Sequence, residues 1–410
     1  MENNRFTDFK ELKTNQTWQN RAEESIAHGS LTNSKRPICL VNGVYPTHLA
    51  RGQGCHVWDT DGKKYVDFIC GLGSNLLGYA NTEINQAMAE QANRGATLSL
   101  GTDLEVRTAE KVKELFPFID KIRFLKTGSD ACSAAVRIAR AKTGRDLILS
   151  DGYHGWHDGF VSLTPPALGV PMPQAIHVLG AQDFSGVAGV IVEPIILDGS
   201  KDRIEWLKAL RQKCDESGAL LIFDEVITGF RFEKYCVSRF WGITPDLICL
   251  GKAMGNGMPI SVVGGRAAVM DCGEWFVSST FAGETLSLAA ALKTMTLLQS
   301  GKYDIGHLWE KGWRFMTLFN AMWPDKLRID GYATRGAFKG DELVKALFWQ
   351  EMCRAGVIFG PSWFFNFPHI DVMDEVLSTS QDVLTRIKTG SVKLTGDMPT
   401  TPFAAKMRKL

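Results

Sequence analysis

The chain has 410 residues, 45% of them hydrophobic, and its 46 Lys and Arg nearly balance 45 Asp and Glu for a net charge of +1. That length can bury large cores and suggests two or three domains, while the balanced charge gives no electrostatic pull towards nucleic acid or an anionic membrane. Met1-Glu2-Asn3-Asn4-Arg5-Phe6 lacks the apolar stretch of a secretory signal, no apolar run reaches membrane-span length, and the nine cysteines include no pair at zinc-knuckle or redox spacing. A soluble cytoplasmic protein with reduced thiols is the expectation.

Residues 1–40 are polar and helix-prone, broken at Arg36-Pro37, and read as an arm packed on the rest. Cys55–Asp59 and Lys64–Phe68 flank Thr60-Asp61-Gly62, a hairpin signal with Asp-Gly at the turn. From about residue 80 to 300, β-branched apolar runs (121–125, 146–149, 188–192, 219–223) alternate with helix-periodic stretches such as 133–141 and 204–217. Buried strands alternating with helices predict an α/β fold with a mostly parallel sheet covered on both faces. Beyond 300 the pattern becomes helix-rich with shorter strands, as in a smaller α+β domain, and 396–410 read as a tail. The expected division is an arm and part of the small domain over 1–75, a large domain over 76–300, and a C-terminal small domain over 301–410.

Six places in this layout carry chemistry. Phe124-Leu125-Lys126-Thr127-Gly128-Ser129-Asp130-Ala131 runs from a strand through a small-residue turn into a helix. Free amides, the helix dipole and the Ser129 hydroxyl would make an anion site there; ordinary capping by Thr127 or Ser129 is the alternative. No segment reads as a Walker A loop or a dinucleotide fingerprint. Asp151-Gly152-Tyr153-His154-Gly155-Trp156-His157-Asp158 follows a strand, and Tyr153 could stack on a flat ring. His154 and His157 lack helical i,i+4 spacing and a second acidic ligand cluster, so no metal is expected. Glu193, ahead of Pro194, and Asp224, in the run Leu220-Leu221-Ile222-Phe223-Asp224-Glu225, are acids at strand ends. Ligands bind at that edge of open α/β sheets, although a strand-end acid also serves as a helix cap.

Lys252 lies in Leu250-Gly251-Lys252-Ala253-Met254-Gly255-Asn256-Gly257-Met258-Pro259. Flanking glycines allow a ligand to approach the backbone, and glycine-rich loops also carry solvent-facing lysines. An acid able to hold a pyridinium nitrogen, followed by a lysine able to form a Schiff base, is what pyridoxal phosphate (PLP) chemistry requires. Ser278-Ser279-Thr280-Phe281-Ala282-Gly283-Glu284-Thr285 is a hydroxyl-rich turn that either reaches a phosphate or caps the following helix.

Together with Trp58-Asp59-Thr60-Asp61-Gly62, these segments resemble, in order and from about residue 35 to 385, the class III aminotransferases of PLP fold type I. The likeness is greatest to the branch that includes glutamate-1-semialdehyde 2,1-aminomutase. Asp224-Glu225-Val226-Ile227-Thr228-Gly229 followed by Gly251-Lys252 is the specific part of the signal. The resemblance implies that Lys252 forms the internal aldimine and shuttles the Cα proton, and that Asp224 pairs with the ring nitrogen. Val226 and Tyr153 would flank the ring, Gly128 and Ser129 would hold the phosphate, and His154 and Glu193 would contact the cofactor. Thr280 would reach the phosphate of a neighbouring subunit, in a homodimer that shares its active sites. Where the aminomutase carries a carboxylate-binding arginine, this chain reads Val44-Tyr45-Pro46-Thr47-His48-Leu49-Ala50, a substantial loss for substrate recognition. The reading is therefore a PLP-dependent aminotransferase that moves an amino group from a small-molecule donor to a carbonyl acceptor. A PLP-dependent aminomutase or decarboxylase, a catalytically silent PLP-fold partner protein, and an NAD oxidoreductase are the alternatives. Trp156, His157, Trp275, Trp363, Phe364, Phe365 and His369 are candidates for a pocket wall or for core.

Overall fold

The computed structural model describes residues 15–164, 167–172, 174–180, 183–197 and 200–400. Its strands are β1 (Leu49–Gln53), β2 (His56–Asp59), β3 (Lys64–Asp67), β4 (Lys121–Leu125), β5 (Leu147–Asp151), β6 (Ile176–Val178), β7 (Val187–Val192), β8 (Leu220–Asp224), β9 (Leu247–Leu250), β10 (Ser261–Gly265), β11 (Leu327–Tyr332), β12 (Arg335–Gly340), β13 (Val357–Ile358) and β14 (Trp363–Phe364). No helix among the described residues is long and apolar enough to cross a membrane. The chain divides into two compact units, one of residues up to Cys70, Gly78–Ala80 and from Lys311 on, the other of Gly71–Leu77 and Asn81–Glu310.

In the second unit seven strands form one sheet in the order β4-β10-β9-β8-β7-β5-β6. β5, β6, β7, β8 and β9 pair in parallel, and only β10 runs antiparallel to its neighbours β4 and β9. This is the mostly parallel sheet that the alternating runs predict, and β7 to β10 are buried along their length. Strand periodicity sends alternate side chains to opposite faces. Ile148, Ile191, Ile222 and Val263 enter one core, whereas Leu149, Val190, Leu221 and Phe223 enter another. Each such side chain contributes roughly 1.5–3 kcal/mol by burial, so the sheet is a firm platform for whatever its edge carries.

The helix Gly128–Thr143 starts at a capping box, in which Thr127 accepts from the Asp130 amide and Asp130 from the Thr127 amide, and stops at Gly144 with φ 67°. Its buried face is Ala131, Ala134, Ala135, Ile138 and Ala139. Small side chains there let the helix lie close to the sheet, where a Cβ on Gly189 would meet that of Ala139 at 3.2 Å.

The first unit contains the expected hairpin, β2 antiparallel to β3. Asp59 ties its turn by accepting from the amides of Asp61 and Lys63 at 3.0 and 2.9 Å, and Gly62 adopts φ 89°. The core of this unit is aromatic: His369 stacks on Phe68 at 4.1 Å and Phe315 on Trp363 at 5.6 Å. Trp363, Phe364, Phe365 and His369 are buried in that core, so of their two expected roles they take the structural one. The expected tail is corrected in part. Residues 401–410 lie outside the described residues, as do 1–14 of the arm, but 396–400 are strapped down. Asp397 and Thr400 donate their amides to Asn42 O and Ile38 O at 2.9 and 2.7 Å.

After β8 the chain makes a buried excursion held by one carboxylate. Glu225 Oε2 accepts from Thr228 Oγ1 and the Val237 amide at 3.0 and 2.7 Å, and Oε1 from the Ser238 amide at 3.0 Å. Burial raises the Glu225 pKa, and these donors oppose the rise. Glu225→Ala strands several buried donors and should lower the unfolding free energy by about 3 kcal/mol in urea titrations. Glu225→Gln, which keeps one acceptor, should cost less.

Candidate active site

The parallel strands end along one edge, and every expected chemical segment except Ser278–Thr285 leaves from such an end. Beyond β4 come Thr127, Gly128 and Ser129; beyond β5, Tyr153 and His154; beyond β7, Glu193; at the end of β8, Asp224 and then Val226; beyond β9, Gly251 and Lys252. Gly128, Ser129, Tyr153, His154, Gly155, Glu193, Asp224, Val226, Ile227 and Lys252 line one cavity of about 170 Å³. Thr280 is not among them and sits on an exposed turn. His157 lies beside the cavity's helix, its Nδ1 2.8 Å from Ser133 Oγ. Trp156 is largely exposed, and Trp275 donates from Nε1 to Met270 O at 3.1 Å.

Close backbone approach shapes the cavity. A Cβ on Gly128 would stand 2.8 Å from Val226 Cγ1, and one on Gly152, at φ 116°, 2.9 Å from Glu193 Oε1. Gly155, at φ 107°, lies against Ser129. The Glu193 carboxylate accepts from the Tyr153 amide at 2.9 Å and so fixes the loop that presents Tyr153 and His154. At the helix start the capping box occupies the third amide and Thr127 O receives the fourth, from Ala131, at 3.1 Å. The first two, of Gly128 and Ser129, are then the donors directed at an incoming anion. Lys252 holds φ 43°, a left-handed conformation that is uncommon for non-glycine residues.

The floor of the cavity is electrostatic. Asp224 Oδ2 accepts from His154 Nδ1 at 2.8 Å, and Oδ1 from the Val226 amide at 3.0 Å. Burial works to raise the Asp224 pKa, but the hydrogen bond and charge of His154, the Val226 amide and the Lys252 charge hold it below its ordinary 3.8. Burial likewise disfavours charge on His154, and the Asp224 bond and charge, with the Cys132 thiol, overcome it and lift the imidazole from 6.5 to about 10. Both partners are thus charged near neutral pH. Cys132, His154 and Asp224 are the one group among the described residues with metal-ligand composition, their ligand atoms lying within 4.8 Å of one another.

Comparisons with known proteins agree with this geometry. The family described as aminotransferase class-III matches residues 41–173 and 170–355. The chain belongs to the class-III aminotransferases. Its sequence is similar to glutamate-1-semialdehyde 2,1-aminomutase of Aquifex aeolicus, 32% identical over 88% of this chain and 96% of that protein. The Syntrophobacter fumaroxidans protein of the same name is 35% identical over 64% of this chain and 68% of that protein. In structure the chain resembles the Sphingopyxis sp. MTA144 FumI protein in its PLP internal aldimine form, with a TM-score of 0.84, 27% identity, and 94% of this chain and 98% of that chain covered. It also resembles the β-phenylalanine aminotransferase of Variovorax paradoxus, with a TM-score of 0.80, 26% identity and coverage of 92% and 94%. The expected fold, enzyme class and cofactor stand with these findings.

For a class-III aminotransferase the cavity fits PLP on its own evidence. An amine, a buried ionised carboxylate and a helix start open to an anion surround one space, and at Gly128 even a methyl group would collide with Val226 on its wall. Two contributors escape a reading of the sequence. Arg203 donates from Nη1 and Nη2 to Asp151 Oδ2, both at 3.0 Å, from Nη2 to Glu193 O at 2.7 Å and from Nε to Pro194 O at 3.1 Å. It thereby ties the ends of β5 and β7 and sets Glu193. Its sequence signal is only an arginine in the first turn of the helix Lys201–Ser217. Cys132 is the other, and it falls one helical repeat after Gly128, on the same face.

The His154 shift has a pH signature. An imidazole with a raised folded-state pKa adds stability that is full below 6.5 and is lost as pH rises towards about 10. Urea unfolding of the cofactor-stripped protein between those pH values should show stability falling with pH in the wild type. The slope should be much flatter in His154→Gln; equal slopes would mean that His154 is not held as a cation.

Proposed function

We propose that the protein is a PLP-dependent aminotransferase in which Lys252 is the amine that takes the cofactor and Asp224 the carboxylate that pairs with its ring nitrogen. When bound, PLP supplies an aldehyde and an electron-withdrawing ring that stabilises negative charge developing at a substrate carbon. The chain supplies the rest. Gly128 and Ser129 would offer amides and a hydroxyl to the phosphate, and Val226 and Tyr153 would flank the ring, while His154 and Glu193 hold Asp224 and the Tyr153 amide in place. Lys252 would supply the amine that holds the cofactor and, with a small-molecule amino donor bound, the base that moves the proton at the donor Cα; the same residues would serve a carbonyl acceptor. The observation that carries the reading is that eight expected residues, drawn from five separated segments, line a single cavity.

An aminomutase is the second reading, because both sequence relatives carry that name. Against it, Val44–Ala50 contains no arginine to grip a substrate carboxylate. Lys252→Ala should lower turnover at least about 10²–10⁴-fold and remove the visible absorbance of the bound cofactor; undiminished turnover would overturn the assignment. In the wild type, stoichiometric keto-acid formation from a separate amino donor would mark transfer. Isomerisation of a single substrate without keto-acid release would mark the aminomutase.

A homodimer belongs to the same proposal. Leu98, Leu100, Val106, Phe276 and Phe281 are exposed large apolar side chains, gathered on segments joined where Thr285 donates its amide to Ala96 O at 2.8 Å. An apolar set of this kind marks a protein interface, and Thr280 lies on the same turn as Phe281. Light scattering should give twice the chain mass for the wild type and the single-chain mass for the double variant Leu100→Asp, Phe281→Asp. A monomeric wild type would refute the dimer.

A further inference from the structure

A carboxylate offers about four acceptor sites, two on each oxygen. On Asp224, Oδ2 accepts from His154 Nδ1 at 2.8 Å and from Cys132 Sγ at 3.3 Å, and Oδ1 accepts from the Val226 amide at 3.0 Å. Three sites are therefore taken, and the fourth is on Oδ1. We propose that Cys132 is a positioning residue which, with His154, closes Oδ2 and directs the ring nitrogen of the cofactor to Oδ1, setting how strongly Asp224 draws on the ring proton. The proposal rests on the PLP reading of the cavity.

The thiol suits this task better than its neighbours in the helix. Cys132 is 1% exposed and Asp224 6%, so no water competes for the bond and each donor counts at low dielectric. Burial pushes the Cys132 thiol well above its ordinary value, which keeps it an S–H and hence a donor. A thiol is a weak donor, so it fills a place on Oδ2 while leaving the carboxylate more basic than a hydroxyl would. The surrounding positions Ala131, Ala134 and Ala135 carry no polar group.

Removing the donor should strengthen the carboxylate as a base. The ring N–H bond then lengthens and the ring withdraws electrons less. In the holoenzyme, the pH midpoint of the bound cofactor's visible absorbance should move up by about half a pH unit in Cys132→Ala, a roughly threefold change in the equilibrium, as expected for part of one net hydrogen bond. With cofactor ¹⁵N-labelled at the ring nitrogen, the resonance should move towards that of the unprotonated ring. Cys132→Ser, which keeps a donor, should not show this upward shift, and Cys132→Val, which fills the space without a donor, should behave as Cys132→Ala. Cys214→Ala, a buried thiol in the other core, should lower the melting temperature and leave the midpoint alone. Wild-type values of both readouts in Cys132→Ala and Cys132→Val, or an equal shift in Cys214→Ala, would overturn the role of Cys132 while the PLP reading stands. A wild-type protein that acquires no titrating absorbance from PLP would instead overturn the reading on which it rests.

Discussion

Asp224 is a negative charge at the end of a fully buried strand, and an isolated carboxylate in such a place would cost many kcal/mol and take up a proton instead. It stays ionised because His154, Cys132 and the Val226 amide all donate to it. Each donor comes from a different element: the loop after β5, the helix Gly128–Thr143, and the turn after β8. Keeping one carboxylate charged therefore fixes the relative placement of three segments, and those segments bring Gly128, Ser129, Tyr153 and Val226 to one cavity. Satisfying the acid assembles the cavity.

The neighbouring acids show how position divides similar groups. Asp224 and Glu225 are adjacent, and successive residues leaving a strand point to opposite sides. One faces the cavity; the other turns into the loop and binds the Val237 and Ser238 amides. Glu193 takes a third role, gripping the Tyr153 amide while Arg203 holds its own carbonyl.

Much of this was legible in the chain because hydrophobic runs announce where strands stop, and the chemical residues lie just beyond the stops. The parallel strands β5, β7 and β8, and the strand-to-helix turn at Thr127–Ser129, follow from that pattern. The reversal of β10 was not legible: Ser261–Gly265 is as apolar and buried as its parallel neighbours, and direction leaves no trace in composition. Cys132 was hidden because a lone cysteine in an alanine-rich helix reads as core, and its partner is distant in sequence. Arg203 was hidden because two of its bonds go to backbone carbonyls, which any residue carries, and the other two to Asp151, 52 positions away in sequence. Trp363, Phe364, Phe365 and His369 read as wall or, more often, as core, since aromatic side chains serve both.

The reversed strand also governs how the cavity can deform. β10 pairs Ser261 with Leu125 and Val262 with Leu250, so the ends of β4 and β9 are locked in register through it, and Ser261 Oγ donates to Thr127 O at 2.6 Å. The Thr127–Ser129 turn and Lys252 thereby hang from the same frame. Accommodation of differently shaped amines has to come from parts outside that frame, such as the exposed side chains of Tyr153 and Trp156. Those side chains can then turn without disturbing the alignment of Asp224 and Lys252.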